Sequence, residues 1–355
     1  MKYDVIVVGS GSAGSIVATR ISEDPSKSVL LIEAGPDYDE IEKLPDEVRY
    51  GYATGTDVMV SDHNWQFLGQ PTPIAEPMMV PRGKVTGGSS AINGQMFLRG
   101  VPEDYDTWAE WGNDKWSYEQ LLPFFRNLET DTDFSDDFHG TTGPIIVRRF
   151  KPTDMHPAQV AFREAALDAG HLESPDLNHP DSEGISPTPL NNPNGIRWST
   201  NLGYLSMSRH RLNLTIRPNC DVRKILFEGK KAYGLEVESA GEVFTVEGDE
   251  IVLSGGAIAS PQILMLSGVG PSDHLKEHGI DIVHELSGVG ENLRDHPIVP
   301  VSFKTKSHVE LDGLAPRNQY VLRYTASGSD LRNDMIIIMQ SFLHITCQNF
   351  PRNIY

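Results

Sequence analysis

The chain opens on a short apolar run that passes at once into a glycine-rich turn: Tyr3 to Val8 (YDVIVV), then Gly9-Ser10-Gly11-Ser12-Ala13-Gly14. No other segment narrows the choice of fold so far. Ile16 to Ile21 reads as a helix, Val29 to Ile32 as a second strand, and Glu33 closes that strand. Strand, glycine turn, helix, strand and acid follow one another in dinucleotide-binding order. Gly9 permits the tight turn. Gly11 lets a pyrophosphate approach the backbone at the helix N-terminus, where N–H groups point at anions. Gly14 lets the helix pack close to the strand. Glu33, nineteen residues after Gly14, can accept hydrogen bonds from ribose hydroxyls. A bare GxGxxG recurs in many structural turns; the flanking strand, helix and acid make this one specific.

At 355 residues the chain has room for two domains. A net charge of -19 disfavours nucleic acid and anionic membrane surfaces, which attract basic patches. Two cysteines, Cys220 and Cys347, exclude a disulfide framework and a multi-cysteine metal site. They fit a reducing compartment. The first strand starts at residue 3 with no leader before it, and no apolar stretch is long enough to span a bilayer. A cytoplasmic protein is expected.

Further along, Ser117 reads as an N-cap with Gln120 completing a capping box, ahead of a helix whose Leu121, Leu122, Phe124, Phe125 and Leu128 share a face. Pro157 to Ala169 reads as a second amphipathic helix. Asp176 to Arg197, dense in Pro, Asn and Gly, reads as a long ordered loop. Leu214 to Arg217 and Val222 to Glu228 look like strands. Ala232 to Glu238 and Glu242 to Glu247 form a hairpin around Ala240-Gly241, and Glu250 to Ser254 a buried strand before a helix at Ser260 to Leu266. Asn333 to Leu343 (NDMIIIMQSFL) has the look of a buried strand. Its place so near the end points to truncation; the alternative is a natural end at a sheet edge.

Three more segments join the opening motif in order. They are Arg82 to Met96 (RGKVTGGSSAINGQM), Gly256 to Gly270 (GAIASPQILMLSGVG) and Gly288 to Pro297 (GVGENLRDHP). Together, over residues 1 to about 340, they resemble the glucose–methanol–choline (GMC) family of flavin oxidoreductases, choline and alcohol dehydrogenases among them. The Asp176 to Tyr204 stretch also resembles the branch associated with the redox cofactor mycofactocin. The resemblance implies FAD; the fingerprint alone fits FAD and NAD equally. It assigns Ser12, Ala13, Glu33 and Ala34 to pyrophosphate and ribose, and Val85 to Met96, including Gly88, to the face of the isoalloxazine ring. Asn93, Gly94, Gln95 and Met96 then lie near the reactive edge, and the Val222 backbone touches adenine. Asp295 and His296 match a loop that closes over the cofactor, although Asp295-His296-Pro297 alone reads as a capped turn. Thr86 departs from the aliphatic residue usual before Gly87-Gly88. Ile92 stands where some members carry a histidine bonded to the flavin, so the FAD is expected to be non-covalent and dissociable.

Alcohol oxidation of this kind needs a base for the hydroxyl proton, and histidine suits that work near neutral pH. The resemblance places that histidine and its His or Asn partner beyond Tyr355, so the catalytic residues are unknown. Among the twelve histidines, neither His139, in the turn before Pro144, nor His179, His274, His278, His284 or His344 has a spacing that argues for catalysis. His274 and His278 lack a further ligand, and no metal site is expected. Gly87-Gly88-Ser89-Ser90 lacks the partners of a serine hydrolase.

The expected fold is α/β: a Rossmann-like FAD-binding domain at 1–150 and 214–300, and an antiparallel-sheet substrate domain at 151–213 and 301–355. The expected reaction is FAD-dependent oxidation of a small-molecule alcohol to a carbonyl, by a dehydrogenase in preference to an oxidase, with an unknown electron acceptor. The alternative is a flavin-binding fragment without turnover. Trp65 and Trp108 read equally as pocket or as core.

Overall fold

A computed structural model describes residues 2–51, 58–303, 306 and 316–341. The chain divides into two compact units. Met1–Arg49, Gly55–Gly94 and Arg197–Pro300 form the first; Tyr50–Thr54, Gln95–Ile196 and Val301–Tyr355 form the second.

In the first unit, strands β1 (Lys2–Val8), β2 (Val29–Ile32), β3 (Leu214–Arg217), β4 (Asp221–Glu228), β5 (Lys231–Ser239) and β6 (Glu242–Leu253) make one sheet in the order β3-β2-β1-β6-β5-β4. β3, β2, β1 and β6 run parallel, while β6, β5 and β4 form an antiparallel meander. Helix α1 (Ser12–Ile21) joins β1 to β2. Alternation along β1 sorts the core into two layers. Ile6 and Val8 pack with Leu30, Ile32, Leu235, Val237 and Ile263 on one face. Val5 and Val7 pack with Ala18, Val29, Leu31 and Leu214 on the other. The two strands expected at 242–247 and 250–254 are one: β6 pairs with β5 up to Glu247 and with β1 from there on. Ala240 (φ 52) and Gly241 (φ 80) are both left-handed, as a two-residue hairpin turn of this hand requires. Helix α2 (Gly256–Leu266) starts four residues earlier than expected.

The second unit holds helices at Pro102–Glu110, Tyr118–Leu128 and Pro157–Asp168. Strands Gly184–Pro187, Tyr320–Tyr324 and Met335–Ile338 form an antiparallel sheet with Tyr320–Tyr324 in the middle. Met155, Ala166, Ile185, Tyr320 and Leu322 make its core. The first of these strands lies inside the expected long loop; only Ile185 marks it, between polar and turn-forming neighbours. The capping box at Ser117 does not form. Ser117 makes no side-chain cap, and the Tyr118 N–H donates to Asp106 Oδ1 (2.9 Å) instead. The terminal strand is shorter and more open than expected. Met335 to Ile338 are each 39–44% exposed, and among the described residues the strand pairs on one side only, with Tyr320–Tyr324. Leu343, His344 and Cys347 lie outside the described residues.

The units divide the chain differently from the expected domains, with 95–150 in the second and 197–213 in the first. Ladder bonds explain the former. Phe97 N–H donates to Pro189 O, and Arg148 and Leu190 exchange backbone hydrogen bonds.

Candidate dinucleotide site

A cavity of about 690 Å³ opens in the first unit, where β1, β2 and β6 end at Val8, Ile32 and Leu253. The carboxyl edge of a parallel sheet is the general place for ligands in such folds. Gly9, Gly11, Ser12, Ala13, Glu33, Ala34, Gly88 and Val222, all named from the sequence, line it.

The three glycines of the fingerprint do different work. Gly9 has φ +90, and a Cβ there would lie 2.7 Å from Ser254 O. A Cβ on Gly14 would lie 1.9 Å from Gly9 O, so α1 could not sit this close to β1. A Cβ on Gly11 would meet only Gly88 Cα, at 3.9 Å, an ordinary contact. Nothing in the protein demands a glycine at 11, and its lack of a side chain leaves the backbone bare to the cavity. The same residue is the N-cap of α1 and supplies no side-chain cap, and the first turn carries no acid. Gly255 leaves the start of α2 uncapped in the same way, and it too lines the cavity. Both helix ends therefore favour negative charge.

Glu33 is buried. Its Oε2 accepts from Ser10 N (2.9 Å) and Ser10 Oγ (2.8 Å), and its Oε1 from Gly35 N (3.0 Å). Burial pushes its pKa up, and the Gly35 and Ser10 hydrogen bonds offset part of that. A carboxylate offers about four acceptor positions. Ala34 adds a further backbone hydrogen bond, so the carboxyl is fixed at the mouth of the cavity that it lines.

Gly88 (φ +53) brings the second glycine segment to the first: a Cβ on it would lie 2.6 Å from Gly11 Cα. Gly87 N–H donates to Ser10 O (2.9 Å). The unusual Thr86 finds its reason here, since both its N–H and its hydroxyl donate to Pro36 O. Arg197 holds the far end of the loop. This buried guanidinium donates to Asn93 O, Ala91 O, Glu47 O and Val48 O, while Thr200 N–H donates to Ser90 Oγ (3.0 Å). These bonds also explain why 197–213 belongs to the first unit. Replacing Arg197 with methionine strips four carbonyls of their donor. It should cost about 3 kcal/mol in denaturant unfolding and speed amide exchange around residues 91–93. Unchanged exchange there would rule out the clamp.

Val85 is buried and, like Gly14, Asn93 and Gly94, does not line the cavity. Gln95 and Met96 belong to the second unit. There Gln95 O and Oε1 accept from Asn191 N and Asn192 Nδ2, and Met96 bridges to Leu190. Asp295 and His296 are exposed and lie outside the cavity lining; Asp295 Oδ1 accepts from the N–H of the next residue, His296 (2.8 Å). The lining also includes Trp65 and Phe67, stacked at 5.6 Å, with Arg82, Cys220, Asp221 and the start of α2. The α2 contribution was readable: Glu250 to Ser254 followed by Gly255-Gly256 repeats the strand–glycine–helix order of the opening. Cys220 carries a buried free thiol whose pKa burial raises.

The second unit buries an ionic cluster that spacing gave no sign of. His139 Nδ1 lies 3.1 Å from Glu129 Oε1 and 3.2 Å from Asp131 Oδ2, and its Nε2 lies 3.0 Å from Asp176 Oδ2. Arg99 pairs with Glu129 (2.6 Å), and Arg149 with Asp131 (2.9 Å) and Asp176 (2.5 Å). Burial alone would lower the His139 pKa. The Asp131, Asp176 and Glu129 carboxylates overturn that and raise it to about 11. Three cations thus face three carboxylates. Glu129, Asp131 and His139 bring metal-type ligand atoms within 4.8 Å of one another, but the two arginines and the histidine proton already neutralise the carboxylates. His274 and His278 meet edge to face, with ring centroids 4.8 Å apart. Among the described residues, no helix is long and apolar enough to cross a membrane.

Comparison with known proteins agrees with this geometry. The GMC oxidoreductase family matches residues 3–298. An uncharacterized GMC-type oxidoreductase of Rhodococcus erythropolis is 38% identical over 336 residues, which is 92% of this chain and 67% of that protein. The oxygen-dependent choline dehydrogenase 1 of Chromohalobacter salexigens is 42% identical over 318 residues, 87% of this chain and 56% of that protein. The crystal structure of pyridoxine 4-oxidase from Mesorbium loti superposes with a TM-score of 0.82 at 27% identity, covering 96% of this chain and 66% of that one. A fungal aryl-alcohol oxidase superposes with a TM-score of 0.70 at 27% identity, covering 81% and 51%. The chain thus spans between about half and two thirds of the length of these relatives. With its glycine-lined cavity at the carboxyl edge of a parallel sheet and this similarity along most of its length, the chain belongs to the GMC oxidoreductase family of FAD-dependent enzymes.

Proposed function

We propose that the cavity of the first unit binds FAD non-covalently and that the protein oxidises a small alcohol to its carbonyl compound. The observation that carries this reading is Gly11, a glycine the protein does not need, set at an uncapped helix start inside a cavity of about 690 Å³. Backbone N–H groups at Ser12 and Ala13 hold the diphosphate, Glu33 takes a ribose hydroxyl at the cavity wall, and the Val222 backbone meets adenine. The loop from Val85 to Gly94, pinned by Arg197, supplies a fixed backbone beside the ring. Bound FAD supplies a hydride acceptor for the carbinol carbon. The reading extends to a dehydrogenase with a non-oxygen acceptor, and the 176–204 stretch favours the mycofactocin-associated branch. Relatives named for choline, pyridoxine and aryl alcohols define the first substrates to try.

A second reading is flavin binding without turnover. It is favoured by one observation: among the described residues, no histidine lines the cavity. One experiment separates the two. The purified protein is expected to be yellow, to release all its flavin into the supernatant on acid precipitation, and to lose its visible flavin band anaerobically with one of those alcohols. A colourless protein that takes up no FAD would end both readings. Flavin left in the pellet would refute non-covalent binding. A stable yellow protein that no alcohol bleaches would support the second reading.

A further inference from the structure

We infer that Arg82 balances the diphosphate charge of the nucleotide in this cavity, an inference that rests on the FAD reading above. A diphosphate brings two negative charges into a wall that already holds the exposed carboxylate of Asp221. The uncapped starts of α1 and α2 offer about half a positive charge each, too little to oppose all of these. Among the described residues, Arg82 is the only cationic side chain in the cavity lining.

The position of Arg82 suits that work. Its backbone is fixed on both sides: Arg82 N–H donates to Asn64 Oδ1 (3.0 Å), and Arg82 O accepts from Trp65 N (2.9 Å). One guanidinium nitrogen donates to Pro81 O (2.7 Å). Among the described residues, the other terminal nitrogen has only a loose partner, Asp295 at 3.6 Å, whose side chain is 67% exposed. A solvated pair of this kind is held weakly, and a phosphate oxygen displaces the carboxylate at small cost. A charge-assisted bond to a phosphate oxygen is stronger than the solvated pair it replaces, and it is the charge of the side chain that supplies it. The exchange also gives Asp295 a part in nucleotide binding without contact: it marks time on Arg82 until the diphosphate arrives.

The test is an FAD titration of wild type, Arg82→Lys and Arg82→Gln, followed by flavin fluorescence at low and at high salt. Arg82→Gln should raise the FAD Kd about 30-fold and flatten its salt dependence, while Arg82→Lys, which keeps the charge, should stay within about fivefold of wild type. An Arg82→Gln protein within about threefold of wild type would overturn the inference and leave the FAD reading intact. An Arg82→Lys protein as weak as Arg82→Gln would overturn it too, because shape and not charge would then be at stake. A wild type that binds no FAD would sink both.

Discussion

Replacing His139 with glutamine is expected to lower the unfolding free energy by about 3–5 kcal/mol, the usual cost of breaking a buried ion pair from one side. The ring sits between Glu129, Asp131 and Asp176, all buried, and Arg99 and Arg149 supply only two of the three positive charges required. Glutamine keeps some hydrogen bonding but leaves one buried negative charge uncompensated. The pH dependence carries the signature. His139 has its pKa raised on folding from 6.5 to about 11, so its contribution is complete below pH 6.5 and is lost as pH rises toward 11. Asp176 is lowered from 3.8 to about 2, chiefly by His139 and Arg149 against the opposing effect of burial. Its contribution is present above pH 3.8 and is lost as pH falls toward 2. Urea unfolding of wild type and variant should therefore show the largest gap in mildly acidic solution and a narrowing gap at alkaline pH. A gap that does not change between pH 6 and pH 10 would mean His139 is not protonated in the folded protein.

Two alanine substitutions in the opening motif should separate folding from binding. Gly14→Ala places a methyl group 1.9 Å from Gly9 O and 3.1 Å from Ser254 Cβ. Helix α1 must move off the sheet, at about 3 kcal/mol, and the apoprotein should melt well below wild type. Gly11→Ala meets only Gly88 Cα at 3.9 Å. Its apoprotein should melt within a degree or two of wild type, because a glycine at a helix N-cap contributes only about 1 kcal/mol or less over alanine. Its FAD affinity should nevertheless fall about 100-fold, the effect of a bulky group where the diphosphate touches backbone. Thermal melts of the apoproteins with FAD titrations of each give the comparison. Equal FAD affinity in Gly11→Ala and wild type would remove the diphosphate from this turn.

What was legible in the sequence was what is contiguous in it. Tyr3 to Glu33 contains its strand, turn, helix and acid within one stretch, and the short-range rules of turns and apolar alternation suffice to read it. The hairpin at Ala240-Gly241 was legible for the same reason. The His139 cluster was not, because its members come from residues 99, 129, 131, 149 and 176, and no local pattern connects them. Arg197 is a similar case: its work is done on carbonyls of residues 47, 48, 91 and 93, which carry no sequence signal at all. The strand Met335–Ile338 shows a different limit. Its composition gave its type correctly but said nothing of how many neighbours it would have.

The close approach of Gly88 to Gly11 bears on how such a chain can drift over generations. The two residues stand far apart in the gene, yet a side chain at Gly88 would collide with the backbone at Gly11, 2.6 Å away. No compensating change of side chain at position 11 is available, because what is struck is main chain. A lineage that loses Gly88 must shift main chain to recover, so the second segment is inherited together with the backbone course of the first, and recombination between distant relatives that splits them should yield few viable offspring.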